Sequence, residues 1–216
     1  MKYDVIIVGG GISGFMTAKH LVDEGINNIL ILEKNKYPFG IWDRRNPHSC
    51  LKSTVTVSSK LYMSISDFPM DEYHADFLPC DFVLDYYEKY ANHFKLFPYL
   101  KTNVDVIKIS KKNNIWYIDA KSLRYVANNI VIASGSNNDC LNIPSESYYE
   151  NFTGDMYHAD QIKQIRHKLY NKNILTVGLS DTASDIAMLL YRENKVTMST
   201  RRGKWFQQRG NVYNAY

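Results

Sequence analysis

Cysteine is scarce in this 216-residue chain, which contains three, Cys50, Cys80 and Cys140. Their odd number and uneven spacing argue against a disulfide framework and against a Cys-x-x-Cys metal site. The six histidines and the scattered carboxylates show no metal-ligand spacing either. We therefore expect no metal site, and the reducing cytoplasm is the expected location.

Long apolar runs and blocks of like charge are also missing. No stretch approaches membrane-spanning length, and the first apolar run is too short for the core of a signal peptide. The formal net charge is only +4, with no basic stripe interleaved with stacking aromatic residues. We therefore expect neither membrane attachment nor nucleic-acid binding. A hydrophobic fraction of 45% is ample for a packed core, so the chain is expected to be globular.

The N-terminal part of the sequence predicts a strand, a helix and a second strand within about thirty residues. Residues 3–8 are an apolar run typical of a buried parallel strand, and residues 13–23 follow a helical period. Residues 29–32 form a second apolar run, closed by Glu33. The turn after the first strand matches the dinucleotide fingerprint G-x-G-x-x-G and consists of Gly9, Gly10, Gly11, Ile12, Ser13 and Gly14.

Each fingerprint glycine has its own task. Gly9 permits the tight turn, Gly11 lets the backbone approach a pyrophosphate, and Gly14 allows the helix to pack closely on the strand. Glu33 lies 24 positions after Gly9 (33 − 9), at the tip of the second strand. A carboxylate there can accept a hydrogen bond from a ribose 2′-hydroxyl and would repel a 2′-phosphate. The first site is therefore predicted to bind FAD or NAD.

The middle of the chain completes the first predicted domain. Residues 34–80 lack periodicity and contain four prolines, which predicts a long functional loop. Asp81 can cap a helix whose apolar stripe consists of Phe82, Val83, Tyr86, Tyr87, Tyr90 and Phe94. The pattern then predicts an antiparallel meander at 104–109, 115–120 and 123–126, and a further buried strand at 130–133.

After a hinge-like stretch around Pro144, the strand-helix-strand pattern begins again. A second unit is predicted, with its strand, helix and strand at 174–177, 181–191 and 196–199. Its turn reads G-x-S-x-x-A from Gly178, so Ser180 and Ala183 replace two fingerprint glycines. A strand-to-helix turn that binds no ligand is therefore a second interpretation of this segment.

Arg201 favours nucleotide binding at this second turn. It lies 23 positions after Gly178 (201 − 178), which we take to match the offset of Glu33 in the first unit. A cation at this tip suits the 2′-phosphate of NADP. The expected fold class is α/β, with a Rossmann-like FAD-binding unit and β-meander over residues 1–143. A partial second Rossmann-like unit, which binds NADP, is expected over residues 144–216.

Over essentially all of its length the sequence resembles the flavin-containing monooxygenases. The most specific shared segment is the family's F-x-G-x-x-x-H motif, here residues 152–158, in which we treat His158 as a family marker without a catalytic role. Residues 39–42 resemble the family's Gly-Gly-x-Trp flavin segment, with Phe39 in place of the first glycine. Further similar segments are 52–53, 58–60, 67–69, Ser134-Gly135, and the turn with Arg201, Gly203 and Trp205.

The resemblance implies an NADPH- and FAD-dependent monooxygenase. In that family NADPH reduces FAD, O₂ adds to give a C4a-hydroperoxide, and this oxygenates a soft nitrogen or sulfur atom of a small molecule. The cofactor does the chemistry, so no catalytic side chain is expected. The expected FAD-binding residues are the fingerprint with Glu33, Gly40, Ile41, Trp42, Val57 and Ser58. The expected NADP-binding residues are Ser180, Asp181, Thr182, Ala183 and Arg201.

Departures from the family leave turnover open. Val57 stands where the family has an asparagine, and it cannot hydrogen-bond the flavin, NADP or a water. The second fingerprint lacks two glycines, and family members continue beyond Tyr216 and return to the flavin domain, so weak FAD binding is expected. The alternatives are a truncated, non-catalytic dinucleotide-binding remnant and a subunit completed by a partner chain. A homo-oligomer is also open, whereas an ordinary NAD(P)-dependent dehydrogenase is disfavoured by the second unit.

Overall fold

The computed structural model describes residues 2–136 and 149–203. The described chain forms two compact units. The first contains the N-terminal residues through Cys50, the stretch Ser64–Glu72 and the stretch that begins at Cys80. The second contains Leu51–Met63, Tyr73–Pro79 and the residues that follow the gap at 137–148. The predicted domain boundary, between residues 143 and 144, lies outside the described residues and stays a prediction.

A six-stranded mixed sheet is the framework of the first unit. Its strands are β1 (Lys2–Val8), β2 (Ile29–Leu32), β3 (Leu100–Lys101), β4 (Val106–Lys112), β5 (Ile115–Ala120) and β6 (Arg124–Ile132). They lie in the order β3-β2-β1-β6-β5-β4, in which the first four pair in parallel and the last two are antiparallel neighbours. The predicted Rossmann-like arrangement with a β-meander is confirmed.

One prediction about this sheet was wrong. The sequence predicts two strands, at 123–126 and 130–133, but the structure has the single strand β6. This strand pairs with β5 through its first half and with β1 from Val126 to Ile132. Asn128 and Asn129 interrupt the apolar pattern, yet each amide donates a hydrogen bond of 3.2 Å to Asp4 on β1. The polar pair therefore lies inside the strand and does not end it.

Two longer helices belong to the first unit. Helix α1 (Ile12–Asp23) connects β1 to β2, and helix α3 (Cys80–His93) precedes β3. Within its predicted stripe, α3 buries Val83, Tyr86, Tyr87 and Tyr90, whereas Phe82 and Phe94 are half-buried. Two 3₁₀ turns, Gly40–Trp42 and Phe97–Tyr99, lie in the connections. Both helices were predicted, and α1 begins one residue before its predicted start. Helix α3 begins at Cys80, so Asp81, which was predicted as its N-cap, lies inside its first turn and that assignment was wrong.

The core of the first unit lies around β1 and β2. All four residues of β2 are buried, as expected for a central parallel strand. Phe15 on α1 stacks on Phe39, with ring centroids 4.8 Å apart, and meets Phe97 edge-on at 5.7 Å. These three rings fill the space beside the turn that follows β1.

The second unit repeats the strand-helix-strand pattern, as predicted. Strands β7 (Asn173–Val177) and β8 (Lys195–Ser199) pair in parallel and are connected by helix α5 (Asp181–Leu190). Its other elements are α2 (Lys60–Met63), α4 (Ile162–Ile165) and the 3₁₀ turns Ala159–Gln161 and Arg166–Lys168. Ile162, Ile186 and Leu190 form its core, and the Thr54 hydroxyl donates to the Asp185 carboxylate (2.8 Å).

Among the helices of the described ranges, none combines the length and the apolar character that crossing a membrane requires.

Candidate functional site

At two of its glycines, the turn after β1 packs against backbone atoms and leaves no room for a side chain. Gly9 has a φ of +115°, and its N–H donates to the Leu32 carbonyl (2.8 Å). A Cβ at Gly9 would overlap the Ala133 carbonyl, and a Cβ at Gly14 would overlap the Gly9 carbonyl. The close packing that the fingerprint predicts is therefore present at both positions.

Gly11 differs from these two glycines because space beside it is open. A Cβ at Gly11 would meet no protein atom within 4 Å. Gly11 is the N-cap of α1, with φ −75° and ψ 178°, and no side chain in the described part of the chain caps the helix. The first turn therefore presents the N–H groups of Ile12 and Ser13 at the positive end of the helix dipole. This geometry fits a pyrophosphate.

Glu33 lies directly against this turn. The residue is only 5% exposed. One carboxylate oxygen accepts a hydrogen bond from the Gly10 N–H (2.7 Å), and the other accepts one from the Asn35 N–H (2.8 Å). Each oxygen keeps a lone pair that a ribose hydroxyl can use. The structure thus brings the acid and the glycine turn together, and the backbone fixes the orientation of the acid.

The segment Gly40–Trp42 lies beside the same turn. Gly40 has a φ of +58°, and a Cβ there would lie 3.9 Å from the Gly11 Cα. Ile41 is 48% exposed, so an apolar side chain stands open next to the turn. The fingerprint, Glu33 and this segment therefore gather within the first unit.

Phe39 stands where the Gly-Gly-x-Trp segment has its first glycine, and its burial accounts for the tolerance of a side chain there. Its φ of +71° is left-handed, which costs an L-residue roughly 1–2 kcal/mol. Its ring is buried, and burying a phenylalanine ring contributes roughly 1.5–3 kcal/mol. Because burial offsets the strain, the backbone path survives, and the Phe39 N–H donates to the Gly10 carbonyl (2.7 Å).

A network of polar side chains, which the sequence did not predict, holds the backbone of this segment in place. The Asn46 side-chain amide donates to the carbonyls of Tyr37 (3.1 Å) and Gly40 (3.0 Å). The buried carboxylate of Asp43 accepts bonds from the backbone N–H and the guanidinium of Arg45. Burial by itself would raise the pKa of Asp43, but the hydrogen bonds and positive charge of Arg45 outweigh burial and lower it. The network holds the loop that carries Gly40.

We expect the Asp43→Asn variant to be less stable than the wild type by about 1–3 kcal/mol at neutral pH. The wild-type advantage is present above the unfolded pKa of about 3.9 and is lost as the pH falls through the lower folded pKa, because the carboxylate must then be protonated. Urea unfolding between pH 7 and pH 3 measures this difference. Asp105→Asn, which removes an exposed ion pair with Lys121, is the control and should change little. A difference for Asp43→Asn that stays constant with pH would contradict this assignment.

The second turn repeats the backbone of the first. Gly178 has a φ of +124°, and its N–H donates to the Ser199 carbonyl (2.9 Å), as Gly9 does to Leu32. Ser180 is the N-cap of α5 in an extended conformation that any residue adopts, and its side chain does not cap the helix. The Ala183 Cβ would lie 3.9 Å from a Cβ at Gly178, which is ordinary contact. The two lost glycines therefore leave the turn intact, and Asp181 and Thr182 begin the helix.

The strand register corrects the match between Arg201 and Glu33. Val8 pairs with Leu32 in the first unit, and Val177 pairs with Ser199 in the second. The residue equivalent to Glu33 is therefore Thr200, and Arg201 follows one position later. Counting residues missed this shift because the second helical crossover is two residues shorter (33 − 9 = 24, 200 − 178 = 22). Arg201 is exposed beside the tip of β8.

Residues 52–53 and 58–60, which resemble the family's loop beside the flavin, belong to the second unit, as does Val57 between them. Val57 is 58% exposed, and Ser58 is exposed beside it. The Ser58 carbonyl accepts a hydrogen bond from the Thr56 hydroxyl (2.8 Å). Val57 and Ser58 therefore belong to a different unit from the glycine turn.

The last residue of the family motif at 152–158, His158, caps a 3₁₀ turn. His158 Nδ1 accepts a hydrogen bond from the Asp160 N–H (3.2 Å), and the Gln161 side chain accepts one from the His158 N–H (2.7 Å). This capping box fixes the start of the 3₁₀ turn Ala159–Gln161. His158 therefore has a structural role. Trp205, named with Arg201 in the sequence analysis, lies outside the described residues.

Comparison with known proteins agrees with this geometry. The family described as flavin-binding monooxygenase-like matches residues 2–214. Dimethylaniline monooxygenase [N-oxide-forming] 2 of Oryctolagus cuniculus is 31% identical over 226 residues, and flavin-containing monooxygenase 5 of Homo sapiens is 27% identical over 229. The matches cover 97% and 98% of this chain and 42% of each relative. The chain therefore spans less than half the length of these relatives.

Solved structures show the same fold. A mutant flavin monooxygenase from Stenotrophomonas maltophilia superposes with a TM-score of 0.81 at 19% identity, over 96% of this chain and 60% of its own. A mutant cyclohexanone monooxygenase from Rhodococcus, solved with NADP⁺ bound, superposes with a TM-score of 0.69 at 18% identity, over 93% of this chain and 39% of its own.

Proposed function

We propose, from the premise that this chain belongs to the flavin-binding monooxygenase-like family, that its first unit binds FAD and its second unit carries part of an NADP(H) site. One observation carries the first half of the proposal. The turn at Gly9 to Gly14 is closed to side chains where it packs on the sheet and open at Gly11, and Glu33 is hydrogen-bonded to it. These are the requirements for a dinucleotide whose ribose has a free 2′-hydroxyl.

The first unit supplies three kinds of contact. The N–H groups of Ile12 and Ser13 would hold the pyrophosphate, because the Gly11 backbone leaves room for it to approach. Glu33 would accept a hydrogen bond from the adenosine ribose. Gly40, Ile41 and Trp42 would lie alongside the ribityl part of the cofactor.

The second unit is suited to a phosphorylated ribose. Ser180, Asp181, Thr182 and Ala183 begin α5 at a turn with the backbone of the first site. At the tip of β8 the uncharged Thr200 replaces the acid, and Arg201 adds a cation. Loss of the carboxylate removes repulsion, and a guanidinium can bind phosphate bidentately, so NADP(H) is favoured over NAD(H). The proposed boundary between the two domains stays at residues 143–144.

The proposed reaction is the oxygenation of a soft nitrogen or sulfur atom of a small molecule by O₂ and NADPH. A bound FAD would supply the hydride acceptor for NADPH and the group that activates O₂. The residues of this chain would bind and orient the cofactors, and the apolar side chains of Ile41 and Trp42 would help to exclude water from the bound flavin. No side-chain nucleophile is assigned, since none is needed for transfer to such a substrate.

The test is to load the purified chain with FAD and then add NADPH without air. We expect flavin absorbance to appear in the protein fraction, to bleach with NADPH, and to return with O₂. NADH should bleach the bound flavin more slowly at equal concentration. A chain that is folded by circular dichroism yet retains no FAD at saturating concentrations would refute the proposal.

A dinucleotide-binding module without turnover is the second candidate. Val57 favours it, because an exposed valine cannot supply the hydrogen bond that the family's asparagine supplies. FAD that binds but is not bleached by NADPH would support this candidate. In that case a partner chain or a second copy could complete the site, and size-exclusion chromatography with FAD would detect either.

The Arg201→Ala variant is expected to weaken NADP⁺ binding by about tenfold or more and to leave NAD⁺ binding unchanged, because only the 2′-phosphate is lost as a partner. Isothermal titration with both nucleotides measures this. Arg202→Ala is the matched control, one residue further from the tip of β8. Equal losses for both nucleotides, or for both variants, would contradict the assignment of Arg201.

A further inference from the structure

A cleft in the second unit lies at the end of β7 and β8 that is remote from the proposed nucleotide turn. It has a volume of about 570 Å³ and is lined by residues 170–173 and 192–195, where the two parallel strands begin. Gly178 follows the other end of β7, five positions after Asn173 (178 − 173), which is roughly 16 Å along a strand. The cleft is therefore separate from the contacts assigned to NADP(H).

Hydrogen bonds fix the backbone on both sides of the cleft. The Lys195 N–H donates to the Lys172 carbonyl (2.9 Å), so the two lysines leave neighbouring strands close together. The Asn194 side-chain oxygen accepts a bond from the Lys172 N–H (3.0 Å), and its amide nitrogen donates to the Leu190 carbonyl at the end of α5 (3.1 Å). Because Asn194 caps this carbonyl, the lysine ammonium groups are not needed to cap the helix.

Three cations line the cleft against a single carboxylate. Lys172, Arg192 and Lys195 are exposed and Glu193 is half-buried, so the lining carries a net charge of +2 (3 − 1). The Glu193 carboxylate accepts a hydrogen bond from the Tyr170 hydroxyl (3.2 Å). In the part of the chain that the structure describes, neither lysine ammonium has a hydrogen bond or an ion pair. Binding an anion between the two ammonium groups would relieve their mutual repulsion.

The arginines around the cleft add donors and positive charge. The Arg192 Nε donates to the Tyr191 hydroxyl (3.3 Å), and its guanidinium carbon lies 5.9 Å from the centre of that ring. This contact orients the side chain and leaves the N–H groups of the two terminal nitrogens for a ligand. Two more exposed cations, Arg166 and Lys168, lie in the 3₁₀ turn shortly before Tyr170.

We propose that this cleft binds a phosphate monoester group. At neutral pH such a group carries a charge of about −1.5 to −2, which matches the net charge of the lining. Lys172 and Lys195 would bind its oxygens as point charges, and Arg192 would bind them as a bidentate donor. The site requires neither FAD nor NADP(H), so it goes beyond the function proposed above. A free phosphate ester and the headgroup of a phosphorylated lipid share this chemistry.

The first test titrates the full 216-residue chain with glycerol phosphate at constant ionic strength and follows backbone amide NMR shifts. We expect saturable shifts at the cleft and about tenfold weaker binding for Lys172→Gln combined with Lys195→Gln, because two charge-assisted contacts are lost. The matched control, Lys108→Gln combined with Lys112→Gln, removes the same charge from exposed positions of β4 and should bind like the wild type. Equal losses for the two double variants, or no saturable shift at the cleft, would overturn the proposal.

The Glu193→Gln variant should change the affinity in the opposite direction. It raises the net charge of the lining to +3 (2 + 1), and the new amide oxygen can still accept a bond from the Tyr170 hydroxyl. We expect glycerol phosphate to bind about threefold more tightly, an effect that loss of folding cannot produce. Binding no tighter than that of the wild type would contradict the assignment of the carboxylate to this site.

The Arg201→Ala variant separates the cleft from the nucleotide turn. It should leave the binding of glycerol phosphate unchanged, since Arg201 lies beside the other end of β8. Binding that Arg201→Ala abolishes, and that the variant with both cleft lysines replaced retains, would place the phosphate at the nucleotide turn and overturn the proposal.

Sedimentation with phosphatidylcholine vesicles separates the two sources of the phosphate group. Sedimentation that requires both an added phosphatidylinositol phosphate and the two cleft lysines supports a lipid headgroup. Binding of glycerol phosphate without sedimentation supports a free ester. Equal sedimentation with phosphatidylserine at matched charge, together with no saturable binding of glycerol phosphate, would show attraction to any anionic surface and would overturn the proposal.

Discussion

The Gly11→Val variant is expected to bind FAD about 100-fold or more weakly than the wild type, which corresponds to about 2.7 kcal/mol, while its free energy of unfolding falls by only about 1 kcal/mol. The fold should tolerate the change because a Cβ at Gly11 meets no protein atom within 4 Å and the backbone there is ordinary extended structure. The proposed pyrophosphate occupies that open space. A valine side chain there would prevent the anion from reaching the N–H groups of Ile12 and Ser13. Titration with FAD, followed by flavin fluorescence, measures the loss.

Gly203→Val is the matched control for Gly11→Val. Gly203 also has open space around its Cβ position, but it lies in the second unit. We expect it to leave FAD binding unchanged. Thermal unfolding should show that both variants remain folded. If Gly11→Val binds FAD as tightly as the wild type, the pyrophosphate does not lie at this turn.

The Gly9→Ala variant is expected to lose about 4 kcal/mol of stability, the sum of backbone strain at positive φ and overpacking. The new Cβ would overlap the Ala133 carbonyl, which is backbone and cannot rotate away. Gly9 also donates its N–H to β2, so a shift of the turn would break that hydrogen bond. Urea unfolding followed by circular dichroism measures the change.

The control for this change is Gly11→Ala, which adds the same methyl group to the same turn in open space. Its free energy of unfolding should stay within about 1 kcal/mol of the wild type, since helix N-caps accept alanine at that cost. Equal effects at the two glycines would show that Gly9 is not packed against the backbone of Ala133.

The parts of the site that local sequence determines were predictable. The glycine turn follows from one apolar run, three glycines and a helical period, and the crossover length fixes where β2 ends. The placement of Glu33 against the turn follows from the same short segment. The bond from the Gly10 N–H to Glu33 joins residues 23 positions apart, yet both lie within a single βαβ unit.

Other features depend on pairing that a single sequence does not display. The strand β6 is continuous because Asn128 and Asn129 form hydrogen bonds to β1. Two polar residues in this segment therefore do not mark the end of a strand. The equivalence of Thr200 with Glu33 rests on strand register, because the second crossover is shorter than the first.

The polar network that binds the Gly40 carbonyl was not predicted, for a different reason. Asp43, Arg45 and Asn46 lie in a loop without periodicity, and their contacts depend on a specific backbone path. A polar run between two prolines is the only signal that the sequence offers for it. Such a run is typical of exposed loops, so the burial of Asp43 and Asn46 could be seen only in three dimensions.

Amide hydrogen exchange with and without each cofactor tests most directly where the dinucleotides bind. FAD should slow exchange at residues 9–14 and 33–42, and NADP⁺ should slow it at 178–183 and around Arg201. Protection of 178–183 by FAD, or no change at 9–14 with FAD present in excess, would contradict the assignment of the two turns.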